Sequence, residues 1–188
     1  LQRVGRLSMP AQRLLTLAAV IGQHFDAALL HAAGRGDADI VDKSLDEWRT
    51  RHLIRPDMPA AQHAGATTQY DFSHDKIRAV LYRSTAPDQR RRLHRRVGEA
   101  LEARGSDQIK TYAGLLAYHW EQAGDPERAT AYLLQAGDQA RMVYAHREAT
   151  DYYRRALAIW EQRGEAGREQ AAQILLKLGL THHEAFDF

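Results

Sequence analysis

The chain has no cysteine among its 188 residues. Disulfides and thiolate metal sites are therefore excluded, and a reducing compartment, the cytoplasm, is the expected location. Proline is sparse, at five residues, which leaves long stretches free to run as helix. No apolar run approaches the roughly 20 residues needed to cross a bilayer. No basic-then-apolar leader precedes the first helical pattern, and the first residue is Leu1 rather than Met, so a piece of a longer chain is expected. Catalytic signatures are missing too. There is no Gly-x-x-x-x-Gly-Lys-Ser/Thr phosphate loop, no Gly-x-Ser-x-Gly elbow and no His-Glu-x-x-His zinc motif. The expectation is a chain that is not itself an enzyme.

What the chain does have is apolar periodicity and an uneven charge. Hydrophobic residues make up 44% and charged residues 27%, ordinary for a helix-rich protein with a core. Net charge is only +2, but residues 1–104 hold 17 Lys/Arg against 12 Asp/Glu, and residues 105–188 hold 9 against 12. Much of the excess lies in Arg90-Arg91-Arg92-Leu93-His94-Arg95-Arg96. Such a run reads either as a solvated helix face or as a contact for nucleic acid or an acidic partner, with Arg91 and Arg95 as the candidate binding residues.

The first half reads as three helices, a hairpin and a helix. Ser8 is a candidate N-cap with Pro10 in the first turn, and Leu14, Leu15, Leu17, Ala18 and Ile21 form an apolar stripe closed by Gly22. A short second helix is expected from Asp26 to Ala33. A third starts at Asp37 or Asp39, with Ile40, Val41, Leu45 and Trp48 facing inward. Leu53-Ile54-Arg55 and Gln69-Tyr70-Asp71-Phe72 pair as strands, and Pro56 to Thr68 form a long wing. A helix with Ile77, Val80 and Leu81 inward follows. Three helices plus a β-hairpin in this order make a winged helix, assigned to residues 1–86.

Residues 87–188 read as all helix. Leu93, Val97, Ala100 and Leu101 form the buried stripe of the first, with its arginines outside. Gly124-Asp125-Pro126 stops one helix and starts the next. Leu116, Ala117, Trp120, Gly124, Ala129, Leu133 and Ala136 have the spacing of a tetratricopeptide repeat, and Glu148-Ala149-x-x-x-Tyr153-x-x-Ala156-Leu157 repeats its second-helix half. An ordinary bundle with alanines at close contacts would give a similar pattern. The expected fold is mainly α: a winged helix followed by an antiparallel array of helical hairpins.

DNA reading by the winged helix is opposed by its third helix. That element would enter the major groove, yet it carries Asp37, Asp39, Asp42, Asp46 and Glu47, which repel a polyanion. His182-His183-Glu184 are neighbours on a helix that point in different directions, so they read as surface residues rather than as metal ligands.

One further motif is Phe72-x-His74-Asp75-x-Ile77-Arg78, where a strand gives way to a helix. Together with Leu14-Leu15-x-Leu17-Ala18-Ala19-Val20-Ile21-Gly22-x-x-Phe25-Asp26, Arg91-Arg92-Leu93-His94 and Leu116-Ala117-x-His119-Trp120-x-x-Ala123-Gly124-Asp125, it resembles the winged-helix arm and adjoining repeats of STAND signalling ATPases. These include LuxR- and maltose-regulator-like, AAA-type transcription regulators of bacteria. The resemblance spans most of residues 10–160. It implies that His74, assisted by Arg78, reaches the β-phosphate of ADP or ATP held by a separate nucleotide-binding domain of the same parent chain. It also implies that Asp75 orients the turn, that the repeats bind a protein or small-molecule effector, and that the chain itself holds no cofactor.

Overall fold

The computed structural model describes residues 4–57, 68–105 and 111–186. The chain divides into two compact units, residues 1–100 and 101–188. The first begins with a 3-10 turn (Val4–Arg6) and α1 (Met9–Ile21), followed by β1 (His24–Asp26), α2 (Ala27–Gly34) and α3 (Ala38–Thr50). β2 (Ile54–Pro56), β3 (Gln69–Phe72), α4 (Asp75–Ser84) and α5 (Pro87–Glu102) complete it, the division falling in the last turn of α5. The second unit stacks α6 (Ala113–Ala123), α7 (Pro126–Met142), α8 (His146–Glu161), a 3-10 turn (Gly164–Gly167) and α9 (Arg168–Phe186). The fold is thus mainly α, with one small sheet followed by an array of helices.

Local chemistry places the helix ends. Ser8 caps α1 through its hydroxyl, which accepts from the Ala11 N–H. Asp26, Asp37 and Asp125 cap α2, α3 and α7 by the same device. At the far ends, Gly124 takes φ 73° and Asp125 N–H donates to the Trp120 carbonyl, closing α6 with a left-handed residue. His52 (φ 54°) closes α3 in the same geometry, with Leu53 N–H donating to Trp48. A β-carbon there costs energy that glycine avoids.

The sheet differs from the expected hairpin. Three antiparallel strands lie in the order β1-β3-β2, with Phe25 opposite Tyr70 and Ile54 opposite Phe72. Strand β1 is three residues long and offers only Phe25 as an apolar signal, too little to set a strand pattern. The wing expected between the strands falls mostly on residues outside those described. Phe25, Leu30, Leu53 and Phe72 from this region join Leu15, Leu17 and Trp48 in the core. Two expected core residues are exposed, Ile40 at 42% in the first turn of α3 and Val80 at 37% on α4, and Leu14 and Ile77 are only half-buried. The buried stripes are narrower than the apolar spacing implied, resting on Val41, Leu45 and Trp48 in α3 and on Leu81 in α4.

In the second unit Ala117, Leu133, Ala149, Tyr153, Ala156, Trp160, Ile174 and Leu178 form one core. Small residues let the helices close up. A β-carbon added at Gly137 would sit 2.5 Å from the Tyr153 ring, so the glycine makes room for that side chain.

Candidate functional site

His74 stands at the junction of β3 and α4. It is the residue before the first helical turn, its backbone is extended (φ −146°, ψ 128°), and its side chain makes no capping bond. The ring is exposed. The preceding residue is tied down, since Ser73 N–H donates to the Leu53 carbonyl at 2.9 Å. The following turn is fixed by Ile77 N–H donating to the His74 carbonyl. The imidazole thus projects from an anchored backbone while remaining open to solvent. Asp75 is exposed as well.

Arg78, one turn along α4, is half-buried and donates through Nε to the Ala19 carbonyl at 3.1 Å. It pins α4 to the last turn of α1, where an unpaired carbonyl end attracts a cation. The two candidate residues differ in engagement: Arg78 already holds a partner within the fold.

The basic run on α5 separates into two groups. Leu93, Val97, Ala100 and Leu101 are buried, as their spacing required. Arg96, expected outside, is half-buried and turned inward; its Nε and Nη2 donate to Ala33 O at 2.9 and 2.5 Å, and Nη2 donates to Gly34 O at 2.7 Å. It closes the end of α2, a role that spacing alone could not assign because the acceptor lies 63 residues away. His94 is fully buried, its Nε2 2.9 Å from the Tyr82 hydroxyl. Burial, reinforced by the charges of Arg90 and Arg78, pushes its pKa down to about 4. Arg90 lies over the Tyr82 ring. Arg91, Arg92 and Arg95 are the exposed remainder.

On α3, Asp39, Asp42 and Asp46 are exposed. Asp42 pairs with His31 at 3.0 Å, and Glu47 accepts from Ser8 and pairs with Arg51. The acidic surface expected to repel DNA is in place on this helix.

A polar network in the second unit carries no sequence motif. The buried Tyr153 hydroxyl donates to Asp138 Oδ1 at 2.6 Å, and Lys177 Nζ donates to both Asp138 oxygens at 2.6 and 2.9 Å. Burial and the neighbouring carboxylate hold the Tyr153 phenol well above its ordinary pKa. Beside this network Ala131, Leu134, Gln135, Gln139, Met142 and Lys177 line an open groove of about 760 Å³. No motif marks it, because it depends on which turns of α7 and α9 face each other.

Among the described residues no group of three or more His, Asp or Glu could hold a metal ion. His182 and His183 are exposed, and Glu184 pairs with Arg141. Among the same residues no helix is long and apolar enough to cross a membrane.

Comparison with known proteins gives one partial likeness. The chain is 28% identical over 167 residues to a protein of Rhizobium meliloti (strain 1021) described as uncharacterized. The matched stretch covers 88% of this chain but only 16% of that protein's length. No family model matches, and no solved structure matches.

Proposed function

We propose that the chain is a non-catalytic regulatory module of a nucleotide-switched signalling protein. In this reading residues 1–86 are a winged-helix arm that packs on an ATPase domain elsewhere in a longer polypeptide. His74 donates to the β-phosphate of a bound nucleoside diphosphate, and residues 87–188 are a linker helix and tetratricopeptide-like repeats that receive an effector. The observation that carries the proposal is the His74 ring, exposed and without a capping bond, on a backbone anchored by Ser73 and Ile77. The motif around it, Phe72-x-His74-Asp75-x-Ile77-Arg78, and the order of the units agree with the STAND resemblance. The Rhizobium relative, in which the matched stretch is 16% of a longer protein, is consistent with a module of this kind.

A charge-assisted hydrogen bond of this sort contributes about 1.5–3 kcal/mol. That is enough to bias a two-state hinge and too little to lock it. Nucleotide exchange would release the arm, and effector binding to the repeats would shift the same balance. The test is His74→Ala in the longer protein carrying the ATPase domain. Weaker ADP binding, by about tenfold or more, and raised basal output are expected; unchanged affinity and output would remove His74 from the switch.

A further inference from the structure

We propose that Arg91, Arg92 and Arg95 form a docking face for an acidic protein segment, one presenting several closely spaced carboxylates. The inference is independent of the nucleotide switch, because it rests on how the fold uses its arginines.

Several arginines of residues 1–100 are already engaged, while Arg6, Arg13 and Arg83 are exposed, make no ion pair among the described residues and stand apart in sequence. Arg96 closes α2 and Arg90 covers Tyr82. Arg35, Arg49, Arg51 and Arg55 each meet a carboxylate. Arg91, Arg92 and Arg95 make no ion pair among the described residues, although acids stand within reach along α5. Glu99, one turn after Arg95, is taken by Arg35. Asp88, one turn before Arg91 and Arg92, pairs with neither. Three guanidiniums are thus left within a single turn, at the i,i+3 and i,i+4 spacings where like charges destabilise a helix. Countercharge from outside would relieve that repulsion.

The setting of the face favours carboxylates on protein over nucleic acid. All three residues are arginine, whose planar fork matches carboxylate and phosphate alike, so the choice between them rests on the surrounding surface. A nucleic-acid surface needs aromatic platforms or a wider basic field. In residues 1–100 the aromatic side chains Phe25, Trp48, Tyr70 and Phe72 are buried, and Tyr82 is occupied by Arg90 and His94. The same unit also exposes Asp39, Asp42 and Asp46, which a short acidic segment can avoid more easily than a duplex.

The test uses the whole chain and two fluorescein-labelled probes at about 20 mM salt, where screening is weak. One is an Ala/Glu helical peptide with a glutamate-rich face; the other is a mixed-sequence DNA duplex. The expected result is peptide binding that weakens about tenfold in the triple variant R91E/R92E/R95E. It should hold within about twofold in the charge-matched control R6E/R13E/R83E, which alters exposed arginines elsewhere. Circular dichroism checks that both variants fold, and R91Q/R92Q/R95Q replaces the reversal variant if that one does not. Equal weakening in the control would reduce the effect to net charge and overturn the proposal. So would absence of peptide binding, or a preference for the duplex that the α5 variant abolishes.

Discussion

The two units join their helices by different means. In residues 1–100 two arginines close helix ends on backbone, Arg78 donating to Ala19 and Arg96 to Ala33 and Gly34, while Arg35 pairs with the Glu99 side chain. In residues 101–188 the arginine contacts run from side chain to side chain, and several skip a helix. Glu102 at the end of α5 meets Arg128 and Tyr132 of α7, and Glu121 of α6 meets Arg155 of α8. Asp138 and Arg141 of α7 meet Lys177 and Glu184 of α9. An irregular unit has singular helix ends to close, and each needs its own donor. A stacked unit repeats one neighbour relation, so ion pairs recur between alternate helices while small residues let adjacent ones touch.

The contrast is most sharply tested where the stacked unit has no slack. Gly137→Ala places a methyl group against the Tyr153 ring at 2.5 Å, and should destabilise the protein by about 3 kcal/mol, read from urea unfolding. A loss under 1 kcal/mol would mean that α7 and α8 can separate without cost. Next in size is a matched pair of arginine deletions. Arg96→Ala strips a charged donor from two carbonyls and should cost about 2 kcal/mol. Arg155→Ala removes an ion pair whose members are 41% and 21% exposed and should cost less than about 1 kcal/mol. Equal losses would erase the distinction drawn between the units.

A last test concerns pH. His94 is held neutral in the fold, with a pKa of about 4 against an ordinary 6.5, so the unfolded chain binds its proton first. Its contribution is complete above pH 6.5 and declines as acid is added down to about 4, with a slope of at most about 1.4 kcal/mol per pH unit. Melting curves of wild type and His94→Gln at pH 7 and pH 5 isolate it: the variant should lose less stability over that interval. Parallel losses would assign the acid sensitivity to other groups.

Much of the helical order was legible in the sequence because caps and stops are local. Ser8, Asp37 and the Gly124-Asp125-Pro126 step act within a few residues, and α1, α3, α6 and α7 begin or end at them. Strand β3 matched its expected span at Gln69–Phe72, since alternation with Tyr70 and Phe72 buried is also a local signal. What escaped depends on distant partners. Strand β1 exists only because β3 pairs with it, Arg96 turns inward only because α2 ends beside it, and the Asp138–Tyr153–Lys177 network needs three helices in place. For the candidate site, the position of His74 before a helix was readable from the motif. The engagement of Arg78 with Ala19 was not, because the acceptor lies 59 residues away.

One carboxylate has a wider reach than its size suggests. Asp71 occupies the middle strand, opposite His24 on one side and Arg55 on the other. It bonds His24 Nδ1 at 2.5 Å and stands 3.8 Å from the Arg55 guanidinium. A codon change there would loosen both edges of the sheet at once, and a compensating change on either edge could mend only half the damage.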